Sequence, residues 1–90
     1  MINNTINNDI DKLYNLFEVK LEFIADNLLM SKTNNNENVL INVQAVIEKV
    51  FIISAMKLSN DNISKAAKLL GINRNTLSKK LKEIKTSTNI

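Results

Sequence analysis

Hydrogen-bond donors and positive charges are concentrated near the C-terminus of this sequence. Leu77, Leu81 and Ile84 recur at spacings of four and three, which predicts a helix from Arg74 to about Ile84 with one apolar stripe. The opposite side of this helix carries Arg74, Asn75, Ser78, Lys79 and Lys82. Cations and donors together suit contact with phosphate groups. The alternative is an ordinary amphipathic helix with a solvated lysine face.

The residues before this helix predict a helix-turn-helix. Asn62 and Asn73 can each accept a hydrogen bond from the free N–H groups that open a helix. Gly71 can adopt the left-handed conformation that ends one. Ala66 and Ala67 are small where a crossing helix would come close. Because the second helix of such a unit enters the DNA major groove, DNA is the first partner to consider.

Composition favours an all-α protein without an active site. The 90 residues include no proline and a single glycine, so turn chemistry for hairpins is scarce. Cysteine and histidine are absent, which removes thiol chemistry, the usual general base and the commonest metal ligand. We expect a single domain over residues 1–90, with no enzymatic activity, metal, cofactor or small-molecule substrate. No secretory signal is visible, so a cytoplasmic location is expected.

Charge divides the sequence into two halves. Residues 1–48 carry three lysines against seven acidic residues, a balance of −4. Residues 49–90 carry nine basic residues against two acidic ones, a balance of +7. The basic half contains the predicted helix-turn-helix, so the acidic half should face away from DNA. A membrane surface is disfavoured as the partner, because the C-terminal helices lack a large aromatic or leucine-rich face.

Two longer helices are predicted ahead of the motif. The first runs from about Ile6 to Met30, and a polar loop from Ser31 to Glu37 follows it. Alternating steps of four and three give this helix a packing seam with the 3.5-residue period of coiled coils and bundles. The seam consists of Ile10, Tyr14, Phe17, Leu21, Ile24 and Leu28.

The second long helix runs from about Asn38 to Leu58 and is apolar on nearly every side. Fourteen of the twenty residues from Val39 to Leu58 are apolar, so the helix must be buried all round or lie in a membrane. Glu48 and Lys49 at its middle argue against a membrane span. We expect a second copy of the chain to cover it, the alternative being burial in a larger complex. The expected dimer core is Val43, Val46, Ile47, Val50 and Phe51.

The C-terminal segment resembles the DNA-binding region of the Fis family (factor for inversion stimulation), a module that also ends the activators of an alternative bacterial sigma factor. The likeness is specific over residues 60–82, is limited to hydrophobic pattern over 39–59, and is absent before that. A phosphate-binding glycine loop is missing, so the chain resembles a free-standing Fis-like protein rather than an activator fragment. The residues that carry the likeness are Asn62, Ser64, Ala66–Ala67, Leu70–Arg74, Thr76–Leu77 and Lys79–Lys82.

The resemblance implies a nucleoid-associated homodimer that bends DNA and regulates transcription. Intertwined helices over about 6–59 would form the dimer, about 60–85 the helix-turn-helix, and 86–90 a tail. The two recognition helices would lie closer together than one turn of straight DNA, so that the duplex must bend to meet both. The alternative function is a helical protein-interaction module without DNA binding.

The resemblance also implies a role for individual residues. Asn73 and Arg74 would reach base edges, with Arg74 suited to guanine. Phosphate contacts would come from Asn62, Ser64, Thr76, Lys79 and Lys80, with Lys82 nearby. Ser78, also on the DNA-binding face, and Glu83 stand where the best-known member is basic, and Asp61 replaces a glycine. That member also has a mobile N-terminal hairpin that touches a recombinase, whereas a helix is expected here, so stimulation of recombination is not expected.

Overall fold

A computed structural model describes residues 5–31 and 38–88 of the chain. These residues form four α-helices, namely α1 (Thr5–Ser31), α2 (Val39–Leu58), α3 (Ile63–Leu70) and α4 (Arg74–Thr88). The prediction of an all-α fold with a C-terminal helix-turn-helix is confirmed. Ser31 ends α1, and residues 32–37 of the expected polar loop lie outside the described residues. The chain divides into two compact units, of which the first ends at Val39 and the second begins at Leu40. The single domain expected from chain length stays a prediction.

In the first unit, α1 keeps most of its described apolar side chains exposed, although Leu21 of the seam is half-buried. Residues on its seam, such as Ile10 and Phe17, are exposed, and so are Phe23 and Met30 away from the seam. No side chain described for α1 is buried. At the C-terminal end, Ser31 Oγ donates a hydrogen bond to the carbonyl of Leu28 at 3.1 Å, one of the carbonyl groups that the end of a helix leaves without a partner.

In α2, the buried side chains belong to the C-terminal half. Ile52 and Ala55 are buried, whereas Val46 and Val50 remain 59% and 54% exposed. Much of the apolar surface of α2 therefore remains exposed. The remaining residues of the expected dimer core are Val43 and Ile47, which are half-buried, and Phe51, which is exposed.

By length and composition alone, α2 could also cross a membrane. An 18-residue stretch within Val39–Leu58 has a mean hydropathy of 1.8, and little of that stretch is buried. Among the described residues it is the one helix with this property. The core of a soluble assembly meets the same criterion, so the surroundings of the helix must decide between the two.

The core of the second unit joins α2, α3 and α4. Ile52 and Ala55 of α2 meet Ala66 and Ala67 of α3 and the fully buried Leu77 of α4. The alanine pair lets α3 pack closely, because its side chains end at Cβ and interiors tolerate little excess volume. The apolar stripe predicted for α4 is confirmed, since Leu81 and Ile84 border the core along with Met56, Ile63, Leu70 and Ile72.

The turn between α2 and α3 uses two left-handed residues that are not glycine. Asn60 has φ of 55° and Asp61 has φ of 65°. The N–H of Asp61 donates to the carbonyl of Met56 at 2.8 Å, and the buried Ser59 donates from Oγ to the same carbonyl at 3.1 Å. Together these bonds end α2 and fix where α3 begins.

Candidate nucleic-acid interface

Asn62 opens α3 as a helix cap. Its side-chain Oδ1 accepts a hydrogen bond from the backbone N–H of Lys65 at 3.0 Å, which confirms the cap predicted from the sequence. The capping bond uses the oxygen of the amide and leaves its NH₂ group available as a donor. Asn62 and Ser64 are both exposed. This end of α3 can therefore bind an anion while it remains capped.

Gly71 makes the turn between α3 and α4. It adopts φ of 74° and ψ of 30°, and its N–H donates to the carbonyl of Lys68 at 3.1 Å. The N–H of Ile72 donates to the carbonyl of Ala67 at 3.0 Å, which completes a Schellman-type end. A Cβ added at Gly71 would meet no atom within 4 Å. Glycine is thus required for the backbone conformation rather than for space.

Asn73 caps α4 and fixes the position of the residues that follow. Its Oδ1 accepts from the N–H of Asn75 at 2.7 Å, and its carbonyl accepts from the N–H of Leu77 at 3.0 Å. Arg74, the first residue of α4, is exposed and makes no ion pair with another described residue. A cation at a helix N-terminus is disfavoured by the helix dipole. An external anion at this point would offset that cost.

The outer face of α4 carries the donors expected from its sequence. At 100° per residue, Asn75, Lys79 and Lys82 lie roughly 140–200° around the helix from the buried Leu77. All three are exposed, as is Thr76 near the start of the helix, whereas Ser78 is half-buried. The structure thus brings these donors together on the solvent side of α4.

Lys80 is placed differently from the other lysines of α4. Its Nζ donates to Glu48 Oε1 of α2 at 3.0 Å, and its side chain is 31% exposed. Glu48 lies four residues before the buried Ile52, on the side of α2 that faces the core. Sequence reasoning missed this ion pair, because its partners are 32 residues apart and no helical spacing connects them.

In the described part of the chain, no group of three or more Asp and Glu residues is placed to hold a metal ion. An open groove of about 200 Å³ lies between α2 and α4. Glu48 and Lys49 line it from α2, and Lys80 and Glu83 line it from α4.

Together, the capped helices, the glycine turn and the exposed donors of α4 define a helix-turn-helix unit, an arrangement typical of DNA-binding proteins. Residues 44–83 match the family model described as a bacterial regulatory protein of the Fis family. The match identifies this segment as a Fis-type helix-turn-helix and supports a DNA-binding transcription regulator as the type of protein. The matched segment contains the whole core of the second unit and leaves α1 outside. No curated protein and no solved structure matches the chain.

Proposed function

We propose that the chain is a homodimeric, DNA-bending regulator of transcription that associates with the nucleoid in the bacterial cytoplasm. The observation that carries the proposal is the exposed donor face of α4 within a Fis-type helix-turn-helix. A buried stripe fixes the opposite side of the same helix, so this face meets whatever approaches from solvent. DNA supplies the phosphate groups and base edges that such donors recognise.

The exposed apolar surface of α2 supports the homodimer. Val46 and Val50 stay more than half exposed in one chain. Large exposed apolar patches commonly mark the sites at which proteins associate. Burying about a thousand Å² of such surface at about 25 cal/mol per Å² gives on the order of 25 kcal/mol before the entropy cost of association. This is ample for an obligate dimer.

The surroundings of α2 argue against a membrane span. Ile52 and Ala55 form the core with α3 and α4, and crossing a bilayer would separate α2 from these helices. Glu48 and Lys49 would each cost roughly 2.5–3.5 kcal/mol near the bilayer centre. Glu48 would also lose its bond to Lys80, whereas a dimer leaves that bond intact.

In the proposed complex, Arg74 and Asn73 read base edges and the other donors hold phosphate groups. The base-reading pair lies at the start of α4, where the cap at Asn73 fixes its position. In the proposed dimer the two recognition helices lie closer together than one turn of straight DNA. Both can contact the duplex only when it bends. The proposed phosphate and face contacts are Asn62, Ser64, Thr76, Ser78, Lys79 and Lys82.

Two measurements on the full chain test the proposal. Sedimentation equilibrium should give a folded dimer, and fluorescence anisotropy with duplex DNA should give salt-dependent binding. Lys79, Lys82 and one helix-start contact amount to about six phosphate contacts per dimer, so log K should fall against log salt with a slope of about −5. A folded monomer at micromolar concentration would contradict the dimer. A salt slope shallower than about −2 would contradict the proposed phosphate contacts. The alternative function, a protein-interaction module without DNA binding, would then remain.

A further inference from the structure

We propose that Lys80 is a positioning residue, which holds α4 on α2 through Glu48, and that it does not contact phosphate. This inference rests on the proposed function, because its consequence is the placement of the recognition helix on DNA. The resemblance to the Fis family implies a phosphate contact at Lys80. The geometry of this chain points to the other role.

Lys80 extends from the side of α4 that borders its apolar stripe. It follows the buried Leu77 by three residues and precedes the half-buried Ile84 by four, so it lies roughly 60° from the apolar stripe. Lys79 lies roughly 200° from Leu77, on the outer face. The two adjacent lysines thus leave the helix about 100° apart, Lys80 toward α2 and Lys79 toward solvent.

The charge of Lys80 already has a partner in Glu48. The Nζ–Oε1 distance of 3.0 Å is that of a charge-assisted hydrogen bond. A phosphate contact would require Lys80 to leave Glu48 and turn across the helix, and it would leave the carboxylate unpaired. Lys79 and Lys82 reach phosphate without this cost, since both are exposed.

Charges of both signs line the groove between α2 and α4. Each helix contributes one acid and one base to the lining, Glu48 and Lys49 from α2 and Lys80 and Glu83 from α4. Opposite charges on facing helices favour one register and disfavour others. Because α2 is also the proposed dimer helix, the angle between α2 and α4 sets the spacing between the two recognition helices.

The test compares Lys80→Gln with Lys79→Gln in the full chain. Lys79→Gln should make the salt slope shallower by roughly 2, because a dimer loses two contacts at about 0.9 each. Lys80→Gln should leave the slope unchanged. It should instead reduce, several-fold, the preference for one half-site spacing on duplexes whose spacing varies by single base pairs. Lys80→Arg, which keeps the pair with Glu48, should behave as the wild type.

Glu48→Gln provides the second arm. If the pair positions α4, Glu48→Gln should show the spacing defect of Lys80→Gln, and the double variant should be no worse than either single variant. The inference is overturned if Lys80→Gln flattens the salt slope as Lys79→Gln does, or if it leaves both slope and spacing preference unchanged. It is also overturned if Glu48→Gln tightens binding at every spacing, as removal of an acid near phosphate would. Failure of the wild type to bind DNA would instead defeat the proposed function itself.

Discussion

Asn73 and Asn75 are joined across the first turn of α4 by a 2.7 Å hydrogen bond from the N–H of Asn75 to the side-chain oxygen of Asn73. The residue between them is Arg74, which is exposed. A cap of this kind contributes typically about 1 kcal/mol to helix stability, and it also restricts the backbone from which Arg74 extends. The guanidinium group is therefore presented from a fixed point, as base recognition requires.

The first prediction concerns sequence preference. Arg74→Ala should cost about 1–3 kcal/mol at preferred sites, because a bidentate contact with the O6 and N7 atoms of guanine is lost. Discrimination at the guanine position should flatten. Binding titrations against duplexes with single-base changes would measure both effects. Lys79→Ala is the matched control and should weaken binding to all sequences about equally; a uniform loss for Arg74→Ala as well would argue against base recognition.

The second prediction concerns Asp61, one of the two left-handed residues in the turn between α2 and α3. Asp61 has φ of 65°, a conformation that costs an ordinary residue roughly 1–2 kcal/mol and glycine almost nothing. Because Asp tolerates this region better than most residues do, Asp61→Gly should stabilise the protein by less than that, about 0.5 kcal/mol. It should also strengthen DNA binding, because an acidic residue next to the helix-turn-helix is removed.

Asp61→Asn separates these two effects. It removes the charge but keeps the Cβ, so DNA affinity should rise as in Asp61→Gly while thermal stability changes little. Thermal melting and binding titrations on both variants provide the comparison. Equal stability gains in the two variants would contradict this prediction. They would show that repulsion between charges, rather than backbone conformation, lowers the stability of this turn.

The local features of the helix-turn-helix could be predicted because their causes lie within a few residues. Asn62, Gly71 and Asn73 act on the backbone of their own turns, so residue type and spacing were sufficient. The left-handed Asp61 had a signal as well, since the resemblance places a glycine there. Glycine at such a position commonly marks positive φ.

Other features depend on packing that no short pattern contains. The pair between Glu48 and Lys80 exists only once α2 and α4 have packed on a common core. The C-terminal end of α4 also differs from the prediction. The helix continues past Ile84 to Thr88, into the expected tail, although the apolar stripe ends at Ile84. Thr86 Oγ1 donates to the carbonyl of Lys82 at 2.9 Å within this extension. Residues 89–90 lie outside the described residues.

The third prediction uses Val50 to distinguish a monomer from a dimer. At a position that is 54% exposed, Val50→Asp would change the stability of a monomer by only about 0.5 kcal/mol. In the proposed dimer the carboxylate would enter an apolar interface without a partner, and the folded dimer should be lost. Circular dichroism and sedimentation would measure this. Leu69→Asp, on α3 at 62% exposure, is the control and should keep both fold and association.

The fourth prediction concerns DNA that the protein does not touch. If both recognition helices of the dimer engage the same face of the duplex, the DNA between the half-sites must bend. Flexible pyrimidine–purine steps or an AT-rich centre with a narrow minor groove should then tighten binding, because they lower the deformation energy. Circular-permutation mobility should detect the bend, and duplexes that differ only at the centre should differ in affinity. Equal affinity for all centres, with no mobility change, would mean that each helix-turn-helix binds straight DNA independently.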